Sequence, residues 1–465
     1  MAKFGKSKSQ RGRKQQNRAK LKPQDWTLGL SVVHPKAAGI DIGNEEHYVA
    51  VPPSFDPEPV RRFGCFTADL NALADWLQQC GIETVAMQST GVYWMALYDI
   101  LSERGLRVFL VNARDTKNMP GRKSDVQECQ WLLKLHVYGL LKNSFRPEEE
   151  ILVVRTIWRQ RQQHIADAAR CIQHMQKAMS QMNVQLANVL GDICGVTGQA
   201  IVGAILKGER DPWQLAQFRD PRVKASKETI AKSLQGNWRE ELLFVLKQEF
   251  EGYQEFQRKI GECDDKLYEK MQRMEEKADP KQLPPCPRNK RARGNVPESF
   301  DLREELYRVI GVDLTTIDGV NSLTVQTVTA ETGFDMSRWA SEANFVSWLN
   351  LAPNNKISGG KVIGRDKRKV VNRAGQALRQ AASSLLQSQS YLGAQYRRLR
   401  TKLGNPKAVK AMAAKLARII YRTLKYGQAY VDKGSEYYEQ RYRQQQIQFL
   451  AKRASALGLQ LVDAA

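Results

Sequence analysis

A carboxylate in the middle of an apolar strand constrains this chain more than any other feature. Asp41 lies in Ala38-Gly-Ile-Asp-Ile-Gly43, with an isoleucine on either side. A carboxylate so placed is costly unless it is paired or holds a metal ion. The run passes through a tight turn into His47-Tyr-Val-Ala-Val51 and reads as a β-hairpin. A third strand is expected near residues 62–67. An amphipathic helix should follow over 70–80, with Leu70, Leu73, Ala74 and Leu77 on one face. Thr84-Val-Ala-Met-Gln88 reads as a short buried strand, residues 91–104 as a helix, and Arg107-Val-Phe-Leu-Val111 as a further strand.

Three strands followed by helix, strand, helix and strand is the order of the ribonuclease-H-like fold. The expected architecture is therefore α/β at the N-terminus and all-α beyond it. Residues 1–28 form a basic arm without an acidic residue before Asp25, and the α/β domain spans 29–148. Residues 149–278 read as a long helical domain. In its second half Leu246, Phe250, Tyr253, Phe256, Ile260, Cys263, Leu267, Met271 and Met274 recur at three- and four-residue steps. Such a seam suits a coiled coil joining two copies, or a helical hairpin packed on its own chain.

Prolines and a basic cluster (Arg288, Lys290, Arg291, Arg293) mark residues 279–300 as a linker. A mostly helical domain over 301–432 and a tail over 433–465 complete the chain. Within that domain Ile317-Asp-Gly-Val-Asn321 resembles the turn of a helix–hairpin–helix, where Gly319 would bring backbone amides to a DNA phosphate.

The 465 residues carry 72 Lys and Arg against 49 Asp and Glu, a formal charge of +23. A polyanion is the natural counterpart, most simply nucleic acid. No apolar run approaches the ~18 residues of a membrane span, and a soluble, intracellular protein is expected. Seven scattered cysteines without CxxC pairs argue against structural disulfides and a zinc ribbon.

Asp125 and Glu128 are three residues apart, so a helix projects them to one face. With Asp41 they would offer hard oxygen ligands to Mg²⁺ or Mn²⁺, and Gln88 should emerge on the same sheet face as Asp41. Taken alone, an acidic pair on a helix is a solvated face. Ser358 stands in Asn354-Asn-Lys-Ile-Ser-Gly-Gly-Lys361, a loop by its composition. Gly359 and Gly360 would let backbone approach a phosphate, and Lys361, Arg365, Lys367 and Arg368 supply charge. Arg122 and Lys123 do so beside the acidic pair. Taken alone, Ser-Gly-Gly is a turn without chemistry, and all five histidines precede residue 175.

Several ordered blocks resemble one family. They are Gly39-Ile-Asp-Ile-Gly43, Met87-Gln-Ser-Thr-Gly-Val-Tyr-Trp94, Val111-Asn-Ala and Gly121-Arg-Lys-Ser-Asp-Val-Gln-Glu-Cys-Gln-Trp131, and further along Glu209-Arg-Asp-Pro, Asp220-Pro-Arg-Val, Gly236-Asn-Trp-Arg-Glu-Glu241 and Leu349-Asn-Leu-Ala-Pro353 through Lys361. They are similar to the Piv-invertase-like insertion-sequence transposases, the bridge-RNA-guided recombinases, over roughly residues 30–430. The resemblance implies a RuvC-like domain with a four-acid (DEDD) metal site, a helical middle and a C-terminal serine transposase domain.

On that resemblance Asp41, Asp125 and Glu128 match acidic positions. Gln88 stands where glutamate is usual and Glu128 where aspartate is frequent. Ser358 falls at the recombinase nucleophile. The resemblance also implies a guide RNA, donor and target DNA, a dimer assembling to a tetramer, and a cytoplasmic, nucleoid-associated enzyme. A metal-dependent junction nuclease and an inactive nucleic-acid-binding scaffold are the alternatives.

Overall fold

The computed structural model describes residues 30–89, 91–112, 124–286, 294–353, 355–365, 372–427, 430–460 and 462. The basic arm, Arg122 and Lys123, the cluster at 288–293, and Lys367 and Arg368 lie outside them. The chain divides into two compact units, Met1–Arg146 and Pro147–Ala465.

The first unit is built on five strands: β1 (Ala37–Ile42), β2 (Glu46–Ala50), β3 (Val60–Gly64), β4 (Thr84–Gln88) and β5 (Arg107–Val111). Their order is β3-β2-β1-β4-β5, with the first three antiparallel and β1, β4 and β5 parallel. This is the expected ribonuclease-H-like sheet. The third strand begins two residues earlier than expected.

Side chains alternate between the faces of the sheet. Ala38, Ile40 and Ile42 face α1 (Thr67–Gln79) and α2 (Trp94–Glu103) and share a core with Leu73, Leu77, Met87, Leu97 and Leu101. Each large side chain fully buried there stabilises the unit by about 2 kcal/mol. Ala37 and Ala50 face α3 (Asp125–Val137), meeting Cys129 and Leu133. Gly39 lies on that second face. A Cβ on it would come 2.3 Å from the amide nitrogen of Leu133 and 2.4 Å from the carbonyl oxygen of Cys129. The backbone of α3 therefore lies directly on β1, and only glycine allows this approach.

The second unit begins with α4 (Glu149–Gln181). Three short helices follow, α5 (Val196–Leu206), α6 (Pro212–Ala216) and α7 (Lys227–Ser233), and then α8 (Glu240–Gln272). Helices α4 and α8 have 33 residues each, about 50 Å of helix, and pack antiparallel. Arg161 pairs with Asp264 toward one end, and His174 Nδ1 meets Glu249 Oε1 at 2.9 Å toward the other.

The seam expected on α8 is present: Leu246, Phe250, Tyr253, Ile260, Leu267, Met271 and Met274 are buried. Its partner is α4 of the same chain, and α5–α7 close its first half. The seam is thus used inside the chain, as a helical hairpin. Periodicity marks the buried face of a helix but does not name what covers it.

The hairpin and the C-terminal helices belong to one unit. In α9 (Leu302–Ile310) Arg308 donates to the carbonyl of Met274 at 3.2 Å. From α4, Trp158 Nε1 donates to Thr327 Oγ1 at 3.1 Å, and Arg159 holds both oxygens of Glu331 at 2.8 and 2.6 Å. Both acceptors lie on α10 (Ser322–Thr332). The described ends of the proline-rich segment are tied down as well. Pro284 O accepts from Arg303 at 2.8 Å, and Asn295 O from Arg161 at 2.9 Å.

Then come α11 (Glu342–Trp348), a β6–β7 hairpin (Asn355–Ser358, Lys361–Arg365), α12 (Arg373–Ser384), α13 (Tyr391–Leu403) and α14 (Asn405–Tyr426). The expected tail contains a helix, α15 (Gly434–Ala456). It rests on α13 through Tyr438 against Tyr391, with ring centroids 4.9 Å apart, and through Arg398 stacked 3.6 Å over Tyr442.

Candidate functional site

The acidic residues lie within reach of one another's charge near the C-terminal end of β1 and β4. Ile40 pairs with Met87 in the parallel register, so the next residues, Asp41 and Gln88, are level on the same face. Helix α3 starts above them. Ser124 caps it, its hydroxyl accepting from the Gln127 amide at 3.4 Å. Asp125 and Glu128 fall in the first turn, where the helix dipole favours negative charge. The close approach at Gly39 brings this turn to Asp41.

Burial pushes the Asp41 carboxyl up to about 7, and the charges of Glu128 and then Asp125 add to the rise. The backbone amide of Ile42 opposes it. Three carboxylates thus share one field. Gln88 is 3% exposed and donates through Nε2 to Glu128 Oε1 at 2.7 Å. A glutamate there would place a fourth carboxylate against Glu128, whereas the amide supplies a hydrogen bond. Cys129 lies beneath with its thiol pushed up to about 12, by burial first and then by Asp41. It stays a neutral packing group.

A cavity of about 320 Å³ opens beside Asp41 and Asp125, lined also by Glu45, Glu46 and Tyr48. Tyr48 faces Asp41 across the hairpin. Glu46 lies on the same face and pairs with Arg62 at 3.0 Å. Sequence reasoning missed both. The signal was parity along β2, which becomes readable only once the hairpin register is known.

In chemical kind the donors suit a hard divalent cation, and its charge would relieve the repulsion that holds Asp41 up. In placement, no group of three or more His, Cys, Asp or Glu is gathered closely enough to hold an ion among the described residues. Asp41, Asp125 and Glu128 are the residues that would hold one. Gln88 is a brace on Glu128 in this arrangement.

Ser358 belongs to the second unit and sits in a β-hairpin where a loop was expected. It pairs with Lys361 across a two-residue turn, with Gly359 at φ +54° and Gly360 at φ +75°. Two left-handed residues are what the favoured two-residue hairpin turn requires. A Cβ on either glycine would meet nothing within 4 Å. The glycines supply the backbone conformation of the turn, and the space around them is open.

The strand ending at Ser358 is exposed, and so are Ile357, Val362 and Ile363. The helices before and after the hairpin, α11 and α12, are joined to each other. Asn372 Nδ2 donates to the carbonyl of Trp348 at 3.2 Å, and a Cβ on Gly375 would come 2.2 Å from the carbonyl of Leu349. Lys361 and the backbone of Arg365 lie on β7.

Gly319 has φ +80°, and a Cβ there would come 2.7 Å from the carbonyl of Ala381 on α12. It lets this turn pack against α12. Asn321 caps α10, its Oδ1 accepting from the Thr324 amide at 2.9 Å.

Two family models match the chain. One, described as a transposase and belonging to the IS110 DEDD type, covers residues 38–184. The other, the transposase IS116/IS110/IS902 family, covers residues 313–397. The first stretch contains Asp41, Gln88, Asp125 and Glu128, and the second contains Gly319 and Ser358. No curated protein matches the chain. No helix among the described residues is long and apolar enough to cross a membrane.

Proposed function

With both matched stretches supporting an IS110-type transposase of an insertion sequence, we propose that this chain exchanges DNA strands through a phosphoserine intermediate on Ser358, assisted by the acidic site of its first unit. The observation that carries this reading is that one matched stretch holds the acidic site and the other holds the serine.

In the proposed step, Ser358 Oγ attacks a scissile phosphorus and loses its proton. The Oγ–P bond forms as the bond from phosphorus to the leaving strand oxygen breaks, and that oxygen leaves as a hydroxyl. A hydroxyl from another strand then attacks the same phosphorus and releases Ser358. The phosphodiester count is unchanged, so no external energy source enters. Ser358 is exposed at the end of a strand and can meet a backbone in the open. Lys361, directly across the turn, would steady the phosphate charge. A divalent ion, Mg²⁺ or Mn²⁺, held by Asp41, Asp125 and Glu128 would supply Lewis-acid polarisation of the phosphate. Gln88 keeps Glu128 in place, and the cavity beside Asp41 would admit the backbone.

The same reading includes a guide RNA that pairs with donor and target DNA, and a dimer that assembles to a tetramer in the cytoplasm at the nucleoid. The family resemblance supports these, together with the net charge of +23. Contacts from Arg122, Lys123, Lys361, Arg365, Lys367 and Arg368 to nucleic acid belong to it as well.

One observation favours a second reading. Gln88 is a neutral amide that occupies Glu128 with a hydrogen bond, which leaves the site one carboxylate short, as in a binding scaffold with impaired metal chemistry. Recombination assays on paired donor and target DNA separate the two. The recombinase reading expects exchange by the native chain and none by Ser358→Ala or Asp125→Ala. If Asp125→Ala leaves exchange at its native rate, the acidic site has no part in it. RNA of one discrete length should co-purify with the chain.

A further inference from the structure

Between residues 372 and 427 the chain holds twelve Lys and Arg and not one Asp or Glu. By contrast, α8 carries nine acidic residues against five basic ones, and its cations are paired, as Arg258 is with Glu255 and Glu262. Among the described residues, α12, α13 and α14 thus form a stretch of positive charge with no acidic residue of its own.

It is densest on α14, which has six Lys and Arg. The inner face of this helix is Met412, Leu416, Ala417, Ile420 and Tyr421, all buried. Lys415, Arg418 and Arg422 follow one another at three- and four-residue steps, over about 10 Å of helix. Arg422 donates to both carboxylate oxygens of Glu342 on α11, at 2.6 and 3.0 Å. Arg418 Nε lies 3.8 Å from the same carboxylate. The half-buried Lys415 ammonium is held below its usual range by burial, then by Arg422 and Arg418, with Glu342 opposing and Arg441 of α15 adding to the fall. Three cations of α14 thus stand around one carboxylate, and Arg441 of α15 adds a fourth positive charge beside Lys415.

Like charges gathered in this way repel, and a row of anions relieves them. We propose that Lys415, Arg418, Arg422 and Arg441 form a seat for the phosphate backbone of duplex DNA, with Glu342 as the internal counterion that holds the two α14 arginines until phosphates replace it. The seat offers charge, and Tyr421, the aromatic within the stripe, is buried. That suits a paired backbone rather than unstacked bases. The choice of DNA rests on the transposase reading. The seat does not depend on the acidic site or on Ser358.

The test is fluorescence anisotropy of the full chain with a labelled 40-base-pair duplex, in EDTA, over a potassium chloride series. EDTA and a binding readout keep the result separate from strand exchange. Lys415→Gln/Arg418→Gln/Arg422→Gln should bind at least ten-fold more weakly at 0.15 M salt. Its plot of log affinity against log salt should be shallower by about 2–3. Arg441→Gln, on an exposed face of α15, should lower the slope by about 0.9 without altering the fold. Glu342→Gln should bind more tightly than the native chain, since it frees two guanidiniums. Unchanged slopes in the triple variant and in Arg441→Gln would overturn the seat, as would weaker binding by a folded Glu342→Gln. Loss of binding to a structured RNA with duplex binding intact would overturn DNA as the occupant.

Discussion

Gln88 Nε2 donates to Glu128 Oε1 at 2.7 Å, at a position where the resembling family usually has a second carboxylate. The amide removes one negative charge from a group that already includes Asp41, Asp125 and Glu128. Gln88→Glu should therefore lower stability in EDTA at pH 8 by about 1–3 kcal/mol, through the lost hydrogen bond and the new repulsion. Mg²⁺ or Mn²⁺ should restore the loss and bind the variant more tightly than the native chain. Thermal melts with and without the ion measure both. Equal melting temperatures for the two proteins in EDTA would mean that the amide is not a brace.

The raised Asp41 carboxyl gives a dependence on pH. Its folded value is about 7, above the ordinary 3.8. Near neutral pH the folded state binds a proton that the unfolded chain has released. The contribution of Asp41 is fully present below about pH 4 and is lost as pH rises through about 7. Asp41→Asn should accordingly be more stable than the native chain at pH 8 in EDTA, with little difference at pH 4.5. It should also fail in strand exchange. Urea melts at the two pH values check the sign.

Gly39→Ala tests how the acidic turn reaches Asp41. The added methyl would overlap the α3 backbone at Leu133 and Cys129. Overpacking of this kind costs about 1–3 kcal/mol, and here it displaces Asp125 and Glu128 as well. Stability and metal affinity should fall together in a calorimetric titration with Mn²⁺. A drop in stability with unchanged metal affinity would separate the helix position from the site.

Arg161 and Asp264 are both buried in the α4–α8 seam. Arg161→Met leaves the Asp264 carboxylate without its partner and should cost about 3–5 kcal/mol. Adding Asp264→Leu should recover most of that loss. A double-mutant cycle by chemical denaturation measures the coupling, and additive losses would contradict it.

The sheet was legible because its strands are short apolar runs bounded by turn residues. Thr84–Gln88 and Arg107–Val111 have the expected bounds. Helix α2 starts later than expected because Gly91 takes φ +57° in a turn ahead of Trp94. Asp41 stood out because a carboxylate between two isoleucines needs a reason. Glu46 and Tyr48 did not, since their facing depends on strand register. The seam of α8 was visible as a period, while its partner α4 ends almost sixty residues earlier in sequence and carries no mark of the pairing. The hairpin around Ser358 did leave a signal, β-branched Ile357, Val362 and Ile363 on either side of Gly-Gly. Surrounding lysines and glycines hid it as a loop.

The central claim is that Ser358 becomes bonded to DNA. Lys356 and Lys361 flank it, so trypsin would release Ile357–Lys361 as a single short peptide. The native chain should be incubated with a nicked DNA substrate that prevents rejoining, then digested with nuclease and trypsin and fragmented by mass spectrometry. The account predicts a nucleotide phosphate on Ser358 of that peptide, absent from Ser358→Ala. Strand cleavage with the peptide unmodified, or an adduct on another residue, would contradict it.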